Sequence, residues 1–227
     1  MWLGELSPLL PGPAMVMETQ RETGEAHMKH FIQAVCLAAF LPCAAIAAQA
    51  PEYTADNRLI LPTDYREWIF LTSSLDLNYD EAVPGAGRNS LLDNVFVNPQ
   101  AYGVFSKTGT WPDKTVLVKE NRTAASAGSI SKSGKFQTAV ASMELHVKDE
   151  ARFPGKWAFF VSDGKAPARP MPRTASCYSC HEQNAAVDTT FVQFYPTLLE
   201  IAKAKGTLTP AYLKEERATA ATPRTGR

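Results

Sequence analysis

The chain has no excess of either charge, since 23 lysines and arginines offset 23 aspartates and glutamates. That balance gives nucleic acid or an anionic membrane nothing to hold, so any partner has to be argued from a site. Cysteine is scarce at four residues in 227, and there are four histidines. No methionine occurs after Met171. The longest apolar run, Phe31 to Ile46, is short for a membrane span.

What is present near the start reads as an export signal. Met28-Lys29-His30 is a short basic opening, the apolar run follows, and Ala45-Ile46-Ala47-Ala48-Gln49-Ala50 offers small residues to a processing peptidase. Residues 28–50 are therefore expected to be a cleavable signal peptide, with translation starting at Met28 and residues 1–27 a non-native or untranslated extension. Cys36 and Cys43 leave with the signal, so Cys177 and Cys180 become the only thiols of the mature chain.

Those two thiols lie in "SCYSCH", residues 176–181, with His181 directly after the second. A redox dithiol would use the pair but has no need of the histidine. Zinc would need further thiol or imidazole ligands, and the mature chain offers only His146 besides. Haem c uses all three residues. Both thiols add to haem vinyl groups across one helical turn, and the imidazole becomes the proximal ligand of the iron. One covalent haem c per chain is expected, on Cys177, Cys180 and His181.

The sixth position of the iron decides what such a haem does. A small electron-carrying cytochrome supplies a methionine downstream of its motif, and none follows His181 here. Upstream, Met143 reads as core, Met171 as a loop residue between prolines, and His146 as part of a strand. The expectation is a five-coordinate iron open to a small molecule.

Between signal and motif the pattern is mainly β. Aromatic and β-branched residues mark strands near Trp68–Thr72, Asn94–Val97, Thr115–Glu120, Phe136–Val147 and Trp157–Val161. Leu77 to Arg88 and Ala124 to Gly134 read as loops. Asn98-Pro99 looks like a cap with proline at the first helical position, opening a helix that stops at Gly109; Pro196 opens another that ends near Gly206. The tail from about Lys214 is polar and reads as disordered. The fold class expected is α+β: an antiparallel sheet with a few packing helices and a C-terminal haem c segment. A four-helix bundle is excluded by runs such as "TVLVKE" and "KWAFFV".

"LPTDYREWIFL", "NVFVNPQAY", "TGTWPDKTVLVKE", "MELHVKD", "KWAFF" and "CYSCHEQNAAVDTTFVQFYP" resemble, in order and spacing, the cytochrome P-460 family over about residues 58–205. The resemblance implies a β-rich haem c domain, usually a homodimer, in the bacterial periplasm. It implies oxidation of hydroxylamine to nitrous oxide in catalytic members, and nitric oxide binding without turnover in relatives of the cytochrome c′-beta kind.

Two residues separate these outcomes. Lys119 matches the lysine that cross-links to the haem in cytochrome P-460, although a strand lysine is ordinarily only a solvated cation. Glu144 matches a distal-pocket glutamate and would serve as general base; period two puts it with Ser142 and His146, opposite Ala141, Met143, Leu145 and Val147. The Arg152–Lys156 loop looks shorter than in the family, and the distal aromatic residue is unplaced, with Phe96, Phe159 and Phe160 as candidates that are also simple core residues. The Asn121-Arg122-Thr123 sequon reads as accidental.

The resulting expectation is a periplasmic haem oxidoreductase over residues 51–210, followed by a disordered tail at 211–227. It would act on hydroxylamine and pass electrons to a soluble cytochrome c-type acceptor. A nitric oxide binder is the alternative, and an electron-transfer cytochrome c the third.

Overall fold

A computed structural model describes residues 50–77, 79 and 90–221. The extension, nearly all of the signal segment and most of the Leu77–Arg88 loop lie outside these residues. Six strands form one antiparallel sheet in simple sequence order: β1 (Ile69–Leu75), β2 (Leu91–Val97), β3 (Val116–Ala125), β4 (Phe136–Lys148), β5 (Trp157–Ser162) and the two-residue β6 (Arg169–Pro170). Four helices accompany it: α1 (Pro99–Thr108), α2 (Ser176–Asn184), α3 (Pro196–Lys205) and α4 (Pro210–Ala221). The α+β expectation is met.

Alternation along the central strands sends side chains to two different cores. Val116, Val118, Met143, Leu145, Val147, Ala158 and Phe160 pack on one face with Leu59, Tyr65 and Ala168 from the flanking segments. Val95, Val97, Leu117 and Trp157 pack on the other, under Ala101 and Phe105 of α1 and Leu198 and Ala202 of α3. Each fully buried large side chain, such as Phe105 or Leu198, contributes about 1.5–3 kcal/mol. The sheet is thus covered on both faces, which leaves the helix side free to hold a pocket wherever α1 and α3 do not reach.

The first face is also pinned by a buried carboxylate. Glu120 is 1% exposed and accepts hydrogen bonds on Oε1 from the Tyr65 hydroxyl (2.7 Å), from Arg122 Nη1 (3.0 Å) and from the Arg66 guanidinium. Those donors tie the single-turn 3₁₀ helix Tyr65–Glu67 to the middle of the sheet.

Helix boundaries follow local chemistry. Both α1 and α3 begin at proline and stop at a left-handed glycine, Gly109 (φ 76°) and Gly206 (φ 67°). Asn98 stands at the cap position of α1, but its side chain does not cap; Oδ1 accepts from Val116 N–H (2.8 Å) and ties the helix start to β3 instead. The tail needs correction, because α4 is a helix where the polar composition reads as disordered. Thr209 Oγ1 accepts from Tyr212 N–H (3.2 Å) at its start, and the alanines, leucine, lysine, glutamates and arginine that follow are good helix formers.

Candidate functional site

Helix α2 sets Cys177 and Cys180 one turn apart, both as free thiols, with His181 on the same turn. After α2 the chain makes a tight reversal through Asp188, whose φ is 51°, closed by a bridge between Val187 and Thr190. The reversal aims the Thr189 carbonyl at His181 Nδ1, 2.7 Å away. A carbonyl only accepts, so Nδ1 carries the proton and Nε2 keeps its lone pair for a metal. Burial holds His181 below the usual histidine value, although the Thr189 bond opposes this, and the neutral ring is the ligating form.

Two buried ties hold that reversal. Trp111 Nε1 donates to Thr190 Oγ1 (2.8 Å), and Lys148 Nζ donates to Trp111 O (2.7 Å) while reaching Asp188 Oδ2 at 3.5 Å. The His181 ring stacks on Phe191 at 4.0 Å and meets Phe159 edge-on at 4.6 Å. None of Thr189, Lys148 or Phe191 is visible as a site residue in sequence. A backbone acceptor leaves no side-chain signature, Lys148 acts through partners far along the chain, and Phe191 becomes a neighbour of His181 only through the reversal after α2.

His146 is 8% exposed and lies against Phe159 and Trp157, with ring centroids 4.0 and 4.4 Å away. Its Nε2 is 3.2 Å from Thr189 Oγ1. Thr189 therefore touches both histidines, with its carbonyl on His181 Nδ1 and its hydroxyl on His146. The two imidazoles meet edge-on, with ring centroids 5.2 Å apart. Burial, reinforced by His181, keeps His146 well below the usual histidine value. Met143 is core on the opposite sheet face, so of the three upstream ligand candidates His146 and Met171 border the cavity.

That cavity, about 530 Å³, opens between α2, the sheet and the start of α3. His181 and Cys177 enter from one side, Tyr79, Phe191, Phe194 and Tyr195 form an aromatic wall, and the sheet presents Lys119, Glu144 and Asp93. Lys119 and Glu144 are directly paired across β3 and β4, so both point the same way. Lys119 Nζ lies 3.6 Å from Glu144 Oε1 and 3.7 Å from Asp93 Oδ2. Asp93 is a site residue that sequence reasoning missed, although alternation along "DNVFV" sets it on the face of Val95 and Val97. Burial raises its carboxyl above the ordinary range, partly offset by Lys119 and by the Ser74 hydroxyl. The Tyr79 phenol is pushed up to about 12, mainly by burial and then by Asp93.

The three aromatic candidates for the distal side are divided between the two sheet faces. Phe96 packs with Tyr65 and Phe70 on the far face, Phe160 is core there with one edge on the cavity, and Phe159 lines the cavity, stacked on His146 and edge-on to the proximal His181. Among the described residues no group of three or more His, Cys, Asp or Glu is placed to hold a metal ion.

A two-core antiparallel sheet with one wall of a cavity on it, and a Cys-x-x-Cys-His helix forming the opposite wall, defines a cytochrome-type site on an α+β fold. Residues 62–192 match the family model for Cytochrome P460, and the chain belongs to that family. Among curated proteins none matches the chain. Cys177, Cys180, His181, Lys119 and Glu144 all lie within the matched stretch. Haem is the cofactor of this family, and the site fits it. Two unpaired thiols stand one helical turn apart, one imidazole has its outer nitrogen free, and a largely apolar cavity of suitable size lies before them.

Proposed function

We propose that the protein is an exported haem c oxidoreductase that oxidises hydroxylamine, acting in the bacterial periplasm as a homodimer. The observation that carries this reading is the placement of Lys119 and Glu144 together on the cavity wall facing His181. Cys177 and Cys180 would hold one haem through thioether bonds and His181 Nε2 would ligate its iron. When bound, the haem supplies a centre that binds a small nitrogenous molecule and accepts its electrons.

The chain's own residues handle the protons. Turning two hydroxylamines into nitrous oxide and one water releases four protons and four electrons. The Glu144 carboxylate would accept protons from substrate, and its half-exposed position lets it pass them to solvent. A soluble cytochrome c-type acceptor would take the electrons. Lys119, held by its strand toward the same face, would form the tether to the haem edge.

One observation favours a second reading, a nitric oxide-binding protein without turnover. Lys119 Nζ is occupied by ion pairs to Asp93 and Glu144, and without the tether the cavity is simply a gas site. Electron transfer through His146 as sixth ligand is disfavoured, because its Nε2 is engaged by the Thr189 hydroxyl and its ring already packs edge-on against the proximal imidazole at 5.2 Å.

Tryptic peptide mass spectrometry of the holoprotein, together with hydroxylamine consumption in the presence of an artificial oxidant, separates the readings. The oxidoreductase requires the Lys119 peptide to travel with the haem and the Cys177–Cys180 peptide, and hydroxylamine to be consumed. A free Lys119 peptide without consumption leaves the gas binder.

A further inference from the structure

Asn121 lies one rung along β3 from Lys119 on the same face, directly paired with Ser142 of β4. It is 5% exposed, and its side-chain amide does two things at once. Nδ2 donates to Ser142 Oγ (2.9 Å) and to Glu144 Oε1 (2.9 Å), while Oδ1 is buried with no hydrogen-bond partner. Turning the amide over would pair that lone oxygen and set an acceptor against a carboxylate. It would also bury an unpaired NH2, so the observed orientation, with one unpaired acceptor, is the one that keeps a donor on Glu144. The amide of the Asn121-Arg122-Thr123 sequon is thus turned inward to the site.

We infer that Asn121 is a positioning residue for Glu144, fixing Oε1 so that Oε2 is the atom that takes the proton from substrate. The second group near Oε1 is Lys119 Nζ at 3.6 Å, so both donors gather on the same oxygen. Without the Asn121 bond a half-exposed carboxylate would rotate freely between solvent and cavity. Orienting the base in advance is the gain expected of such a contact.

The inference rests on the reading of Glu144 as the base, and the test separates the two. In the holoprotein, Asn121→Ala removes the donor, and Asn121→Asp keeps the shape but replaces the donor with an acceptor. Two measurements are made on each at one fixed pH: kcat and KM for hydroxylamine consumption, and the infrared carboxylate stretches of Glu144, isolated as the difference from the same protein carrying Glu144→Gln. The charged and polar groups around Glu144, namely Lys119, Asp93, Tyr79, Cys177 and His181, are kept in every variant, and the carboxylate that Asn121→Asp adds is present in both proteins of its difference pair.

Losing the bond to Oε1 is expected to lower kcat by about 10-fold in Asn121→Ala with KM little changed, and to move the Glu144 carboxylate stretches. Asn121→Asp, which keeps the shape but not the donor, is expected to do the same, with haem content and absorption spectrum unchanged. Carboxylate stretches that stay in place in both variants overturn the inference, even if Glu144→Gln is slow. Stretches that move while Glu144→Gln turns over normally support Asn121 as the positioning group and remove Glu144 as the base.

Discussion

Lys119 and Glu144 stand opposite each other across β3 and β4, and their charged ends meet on the cavity wall at 3.6 Å. Neither can be changed without altering the field at the other. Asp93 adds a second carboxylate 3.7 Å from the same ammonium, so the wall carries a cation between two anions drawn from three adjacent strands. The Lys119–Glu144 pair, with side chains 34% and 50% exposed, is worth about 0–1 kcal/mol to the fold, and the Asp93 carboxylate is buried at a cost. The arrangement is therefore better explained by chemistry in the cavity than by stability.

Glu144→Gln tests that explanation. The substitution keeps the shape and removes the proton acceptor, and loss of a general base typically lowers turnover by about 10²–10⁴-fold. The side chain is 50% exposed, so the fold should change by no more than about 0.5 kcal/mol. Hydroxylamine consumption is expected to fall while haem content and unfolding midpoint stay put. Unchanged turnover removes Glu144 from the mechanism.

Asp93→Asn should reveal a pH-dependent penalty. Burial raises the Asp93 carboxyl above its usual 3.8, so the folded state holds this proton more tightly than the unfolded chain does. Stability associated with the group is present below about 3.8 and is lost as pH rises through the raised folded value. Asp93→Asn is expected to be the more stable protein at neutral pH and to match the parent in acid. Denaturant titrations across that range provide the check, and a neutral-pH loss of stability would show that the Lys119 and Ser74 contacts outweigh burial.

Glu120→Gln addresses the other sheet face. The carboxylate is almost fully buried and receives Tyr65, Arg66 and Arg122 on one oxygen. Arg66 is half exposed and can return to water, but Arg122, at 20% side-chain exposure, is less able to do so. Loss of the charge is expected to cost about 3 kcal/mol, read as a lower denaturation midpoint, with the absorption spectrum of the haem unchanged. A cost below about 0.5 kcal/mol would mean that the cluster contributes nothing net.

The two left-handed glycines should differ. Gly109→Ala and Gly206→Ala both force a side chain into a positive-φ conformation, at about 1 kcal/mol each. At Gly109 an added Cβ would also sit 2.8 Å from both Lys205 Cβ and Thr207 Oγ1, whereas nothing lies within 4 Å at Gly206. Thermal unfolding should therefore show the larger loss for Gly109→Ala, where the end of α1 meets the end of α3. Equal losses would mean that the two helix ends part without cost.

Much of the site was legible because its chemistry is local. The spacing of Cys177, Cys180 and His181 is that of one helical turn, and α2 is that turn. Strand period put Glu144 and His146 on one face and Met143, Leu145 and Val147 on the other, which is the division the sheet shows. Asp93 was missed because its meeting with Lys119 depends on β2 pairing with β3, a contact between segments more than twenty residues apart. Helix α4 was missed because polar composition was weighed above helix propensity and the Thr209 cap.

Local sequence sets the helical spacing of two thiols and an imidazole, the two faces of each strand and the proline and glycine ends of α1 and α3, because each follows from backbone geometry within a few residues. Long-range packing settles that the polar face of β4 borders a cavity rather than open solvent, that Thr189 touches two histidines, and that the His146 ring meets the proximal imidazole edge-on. Those outcomes depend on which distant segments exclude water from one another, and neither burial nor hydrogen-bond partnership across the sheet is encoded at any single position.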